Sequence, residues 1–193
     1  MSDQLRDERV DLEVVSSELV YEGAVWDVRS DTVRYGDGEM TRQYVEHPGA
    51  AAVVAIDDDE NVVLIQQYRH PIKERDWEIP AGLLDVEGEP PLETAKRELT
   101  EEVDLEADRW QHLVSMHTTP GGNDEVVHLF LARGLRSVET DYEREHEESD
   151  MRVERVALAD VIDAVLAGRL RNGILATGAL AAAEVLRREA SAR

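Results

Sequence analysis

Glu98, Glu101 and Glu102 stand at i, i+3 and i+4, directly after Arg97. On a helix this spacing brings the three carboxylates onto one face, within reach of one another. Carboxylates crowded in this way repel unless something positive sits among them. Arg97 is one candidate, and a hard cation taking oxygen ligands is a better one. The plainer alternative is a solvated acidic helix face, which any acid-rich chain offers.

The elements that must position these groups are legible around them. A short apolar strand beginning near Trp77 breaks at Pro80-Ala81-Gly82 into an acidic loop, and a helix starts near Pro90-Pro91. Proline is tolerated there because first-turn N–H groups lack intrahelical partners. Leu92, Ala95 and Leu99 recur at helical spacing and form a core face distinct from the acidic one. Upstream, residues 12–20 and 24–28 read as short strands. Residues 32–35 and 41–45 flank Gly36-Asp37-Gly38, a hairpin signal. A second hairpin spans 50–56 and 62–68, its tip filled by Asp57, Asp58, Asp59 and Glu60, an ordinary solvated turn. Arg69, at the end of that strand and near the acidic stretch, is placed to hold an anion. Downstream, 110–117 and 126–132 read as strands, 138–150 as a polar loop and 151–158 as a last strand. Two helices, 159–167 stopped by Gly168 and 173–189 capped by Asn172, close the chain.

Composition narrows the class. The chain has 193 residues, with 43 Asp+Glu against 21 Lys+Arg and a formal charge of −22. So acidic a surface disfavours nucleic acid and anionic membranes as partners. There is no cysteine, which removes disulfides, thiolate metal sites and cysteine nucleophiles. The six histidines show no metal-ligand spacing, so zinc is not expected. The N-terminus does not read as a signal peptide and the apolar run 173–183 is too short to span a bilayer, so a cytoplasmic protein is expected.

A wider pattern surrounds the acidic helix. Gly82, Glu89, Arg97, Glu98, Leu99, Glu101, Glu102 and Leu105 resemble the Nudix hydrolase signature. That signature reads Gly, five residues, Glu, seven residues, Arg-Glu, an aliphatic, any residue, Glu-Glu, any residue, Gly, an aliphatic. Two departures occur: six residues separate Gly82 from Glu89, and Asp104 replaces the later glycine. The first lengthens a loop, at little cost. The second sits where a left-handed helix stop is wanted, a conformation Asp adopts at about 1 kcal/mol. Pro120, sixteen residues beyond Asp104 and followed by Gly121, Gly122 and acidic residues including Glu125, is similar to the ADP-ribose pyrophosphatase branch. So are Tyr68-Arg69-His70 and Trp77 to Leu83. The likeness extends over roughly residues 12–185.

This resemblance implies an α/β fold: an α/β/α sandwich with a mixed sheet over residues 48–193, plus a small N-terminal β unit over 1–47 that takes part in a homodimer. It implies magnesium, with manganese as the alternative, held by Glu98, Glu101, Glu102 and the Ala81 carbonyl. Glu102 would serve catalysis through that metal. Arg97 would brace the glutamates, and Gly82 would be structural. Arg69, Pro120, Gly121 and Glu125 would meet the substrate, a nucleotide sugar. The general base lies outside the signature, on the polar loop, where Glu148 is preferred over Glu147, with His146 a neighbour. The implied reaction is hydrolysis of ADP-ribose to AMP and ribose 5-phosphate. The alternatives are another nucleoside diphosphate derivative as substrate, or a non-catalytic ADP-ribose-binding module. The intact Glu98, Glu101 and Glu102 and the lack of a basic recognition helix oppose the latter.

Overall fold

Seven consecutive apolar residues, Ala50–Ile56, form strand β4, and every one of them is buried. A strand buried on both faces belongs in the middle of a covered sheet. The computed structural model, which describes residues 5–142 and 150–192, places it there. The other elements, in chain order, are β1 (Val14–Tyr21), β2 (Asp27–Tyr35), β3 (Gly38–Glu46), β5 (Asn61–Arg69), β6 (Glu74–Glu78), β7 (Ala81–Leu83), α1 (Pro91–Val103), β8 (Leu105–His117), β9 (Val126–Ser137), β10 (Arg152–Ala157), α2 (Leu158–Leu166) and α3 (Gly173–Ser191).

Two compact units result, Met1–His47 with Thr119–Asp124, and Pro48–Thr118 with Glu125–Arg193. In the first, β1, β2 and β3 form an antiparallel sheet in that order. Residues 24–28 and 32–35, expected as separate strands, belong mostly to the single strand β2, because its ladder with β3 runs unbroken from Asp27 to Tyr35. The segment 119–124 adds to this unit through Val45 N–H donating to Gly122 O at 2.9 Å and His47 N–H to the Asp124 carboxylate at 2.8 Å.

In the second unit the sheet runs β10-β5-β4-β9-β8, with β6 on β5 and β7 on β4. It is mixed, since β4 and β9 are parallel while the other pairs are antiparallel. Side chains alternate across β4. Ala51, Val53 and Ala55 join Ala95, Leu99 and Val103 of α1 in one core. Ala52, Val54 and Ile56 join Val161 of α2 and Leu175, Ala179 and Ala182 of α3 in another. Helices thus cover both faces, giving the α/β/α sandwich. The expected hairpin of β4 and β5 closes with a single pair, Ile56 with Val62. Beyond it the strands part, because β6 takes the edge of β5 and β7 the edge of β4.

The local signals act as their chemistry requires. Pro90 caps α1 in an extended conformation, Asp104 ends it at φ 54° and ψ 39°, and its N–H returns to Leu99 O and Thr100 O. The Asn172 side chain accepts the Leu175 N–H at 3.0 Å and starts α3. Within α3, Gly178 lets the helix approach the sheet. A Cβ there would stand 2.8 Å from Val54 Cγ2 and 3.0 Å from Leu129 Cδ2. Gly→Ala in a helix ordinarily gains about 1 kcal/mol, but overpacking a core costs about 1–3 kcal/mol. Gly178→Ala is therefore expected to lower stability by about 1–2 kcal/mol, read as a lower urea midpoint at unchanged slope. A raised midpoint would mean that the α3 contact yields freely.

Candidate active site on the acidic face of the first helix

The site is built where the chain changes partner. Residues 74–78 pair with β5, residues 81–83 pair with β4, and Pro80 between them accepts the Val53 N–H at 2.8 Å. The Ala81 N–H, released at this crossing, donates to Glu102 Oε2 at 2.9 Å. Glu102 is 3 % exposed, so one of its oxygens is anchored to backbone deep beside Ala81. Gly82 follows, and a Cβ built on it would lie 2.0 Å from Glu98 Oε1. The missing side chain is the space that the Glu98 carboxylate fills.

Arg97 binds the remaining acids. Its Nη1 donates to Glu98 Oε1 at 2.6 Å and to Glu101 Oε2 at 3.0 Å, and its Nη2 donates to Glu89 Oε2 at 3.3 Å. Glu89 also accepts the Thr94 hydroxyl at 2.8 Å. The extra loop residue before Glu89 is absorbed by a turn in which Glu89 N–H meets Val86 O at 3.1 Å, so Glu89 still reaches Arg97. Burial opposes the charge on Arg97, but the field of Glu98 and the hydrogen bonds to Glu89 and Glu101 outweigh it and raise its pKa. Its Nε is buried without a hydrogen-bond partner among the described residues.

Three carboxylates, of Glu89, Glu98 and Glu101, therefore share one guanidinium in a partly buried setting, with Glu102 held separately at Ala81. Among the described residues no three His, Asp or Glu groups already converge at metal-ligand spacing, because Glu98 and Glu101 both turn toward Arg97. The donor set still suits a hard cation: it is all oxygen, its negative charge exceeds what Arg97 supplies, and Gly82 leaves the room that the Glu98 carboxylate takes.

Arg69 sits next to this cluster, within the field of Glu102. Its Nε and Nη2 donate to the two oxygens of Glu78, each at 2.7 Å. Glu78 is 6 % exposed and also accepts Gln67 Nε2 at 3.3 Å. Sequence reasoning passed over Glu78. The available signal was a charged residue between Trp77 and Ile79 in an otherwise apolar stretch. Pro120 and Gly121 belong to the N-terminal unit, and Glu125 to the larger one, where it accepts the Thr118 hydroxyl at 2.5 Å. Glu148, Glu147 and His146 lie outside the described residues. On the outer side of α1, a cavity of ≈ 610 Å³ is bordered by Arg97, Glu101, Trp110, Arg136 and Tyr142, a size suited to a small molecule.

With fold and acidic cluster in place, comparison with known proteins defines the class. The NUDIX domain model matches residues 46–173, and the chain belongs to this family of pyrophosphohydrolases. It is 49% identical over 172 residues to an ADP-ribose pyrophosphatase of Mycobacterium tuberculosis (strain ATCC 25618 / H37Rv), spanning 89% of this chain and 83% of that one. It is 36% identical over 152 residues to an ADP-ribose pyrophosphatase of Bacillus subtilis (strain 168), spanning 78% and 81%. A crystal structure of an ADP compounds hydrolase superposes with a TM-score of 0.79 at 20% identity, covering 95% of this chain and 98% of that one; at that identity the likeness speaks for the fold. No described helix is long and apolar enough to cross a membrane.

Proposed function

We propose that this protein hydrolyses the pyrophosphate bond of ADP-ribose, or of a related ADP-sugar, to AMP and ribose 5-phosphate in a magnesium-dependent reaction. The chemistry rests on Glu102 and Glu98 meeting the Ala81–Gly82 crossing, with Glu101 tied to Glu98 through Arg97. The relatives that bear the name ADP-ribose pyrophosphatase support the substrate.

In this reading Glu98, Glu101, Glu102 and the Ala81 carbonyl hold magnesium, or manganese in its place. The bound ion supplies charge neutralisation at the phosphate oxygens and a more acidic water. The chain's own residues do the rest. Glu102, tied to the Ala81 N–H, fixes the strand break against the helix. Arg97 limits repulsion among the acids while the site is assembled. Arg69 offers N–H donors to the pyrophosphate, and Pro120, Gly121 and Glu125 contribute to the substrate site as the resemblance implies. Glu148 takes the proton of the attacking water. Accordingly, Glu148→Gln is expected to leave ADP-ribose binding intact while slowing turnover by about a hundredfold or more. If Glu147→Gln alone does this, the base is Glu147.

The reading also takes the protein as a cytoplasmic homodimer. Val14, Val15, Leu19, Val20 and Tyr21, at the two ends of β1, are all exposed, and this much exposed apolar surface on one strand supports a partner surface. The deciding assay is purified protein with ADP-ribose and magnesium, with and without chelator. Chelator-sensitive release of both products is expected. Saturable binding without turnover would replace the enzyme reading with that of a binding module. A second substrate class, another nucleoside diphosphate sugar, is favoured by 26% identity over 151 residues to a GDP-mannose pyrophosphatase of Escherichia coli O1:K1 / APEC. Faster release from GDP-mannose than from ADP-ribose would select it.

A further inference from the structure

We infer that Glu78 is a positioning residue that presents Arg69 to the substrate's pyrophosphate; this rests on the hydrolase reading above. An arginine carries five N–H donors in a planar fork. Glu78 takes the side edge, through Nε and one hydrogen of Nη2. Both hydrogens of Nη1 and the second of Nη2 have no acceptor among the described residues, and the Arg69 side chain is 47% exposed. The end edge of the fork therefore faces outward while the side edge is held by a buried carboxylate.

Glu78 is itself held. Gln67, 4 % exposed, donates to the same oxygen that Nη2 uses. The ladder between β5 and β6 sets Ile65 opposite Glu78 and Gln67 opposite Asp76, which places Gln67, Arg69, Asp76 and Glu78 on one face of the sheet. Here the guanidinium also lies in the field of Glu102, the residue anchored to Ala81. A fork fixed on one edge and open on the other suits two oxygens of a phosphate anhydride, since bidentate pairing depends on orientation as well as charge. The ion pair is neutral overall, so its contribution to affinity comes from directed donors.

The test must keep charge constant, because removing the Glu78 carboxylate would also remove a charge that repels the substrate. Glu78→Asp keeps the charge and withdraws the carboxylate by one methylene. Arg69→Lys keeps the charge and abolishes the fork. Each single variant is expected to raise KM for ADP-ribose roughly tenfold, the loss expected for a hydrogen bond involving an ion. The fall in kcat should stay within about threefold, as for an interaction made equally in ground and transition states. Calorimetric binding of ADP-ribose in chelator should weaken by the same factor, and the double variant should be little worse than either single one, because both act through one contact. Additive losses, or wild-type affinity in Glu78→Asp with a normal melting curve, would overturn the inference. Should Glu78→Asp fail to fold, wild-type affinity in Arg69→Lys would overturn it equally. Wild-type protein that binds ADP-ribose without turning it over, while the variants lose affinity, would sink the hydrolase reading and keep the role of Glu78. Wild-type protein that neither binds nor turns over ADP-ribose would remove both.

Discussion

Glu102→Gln should reduce turnover of ADP-ribose with magnesium by at least about a hundredfold while leaving the melting temperature unchanged or slightly raised. Removing one preorganised electrostatic contributor to a transition state typically costs that much. The structural part of the residue survives the change, since a glutamine oxygen can still accept the Ala81 N–H that Glu102 Oε2 accepts at 2.9 Å. What disappears is one negative charge from a cluster in which Glu89, Glu98 and Glu101 already share Arg97. Relief of that repulsion sets the sign of the stability change. Glu102→Ala is less informative, because it also strands the Ala81 N–H, at about 1–3 kcal/mol. Steady-state kinetics and calorimetric melting of the same preparation decide the matter. Near-normal turnover with a normal melting curve would take Glu102 out of the metal site.

Gly82→Ala is expected to lower kcat/KM by about ten- to a hundredfold, with a stability loss below about 1 kcal/mol. Gly82 is not among the glycines at positive φ, so alanine fits the backbone there and strain is not the issue. The conflict is with a side chain. The new Cβ would lie 2.0 Å from Glu98 Oε1 and 2.1 Å from its Cδ, closer than any real contact. A carboxylate at the end of a flexible chain can swing away cheaply, which keeps the fold intact. Swinging away takes Glu98 from its place beside Gly82, and that is the functional loss. Full activity in Gly82→Ala would show that Glu98 works from another position. The signature glycine is thereby explained by room for the Glu98 carboxylate rather than by a turn.

Much of this was legible in the chain because the rules involved are local. The i, i+3, i+4 spacing of Glu98, Glu101 and Glu102 follows from 3.6 residues per turn. Pro90, Asp104 and Asn172 mark helix ends by their own chemistry, and Asp104 takes the left-handed conformation that the missing glycine would have taken. Residues 50–56 read as a strand from their apolar run, though their central place came from the sheet order. The mixed sheet between helices followed from the order of elements and from the family likeness.

What stayed hidden depends on which segments meet. Arg69 read as a free anion holder, and the fold engages one edge of it with Glu78, nine residues on. No sequence spacing predicts such a pair, because the β5–β6 register creates it. Residues 50–56 and 62–68 read as a hairpin, yet β6 and β7 enter where the two strands part. His128 hydrogen-bonds Ser115 at 2.8 Å, thirteen residues away, because β8 and β9 are neighbours. By itself the sequence determined the helix, its acidic face and its caps, since each depends on residues within a few turns of one another. Only the tertiary structure decided that Ala81 N–H meets Glu102, that Glu98 fills the place of a Gly82 side chain and that Glu78 holds Arg69. Those contacts join residues from different elements, and sheet register and helix packing set their distances.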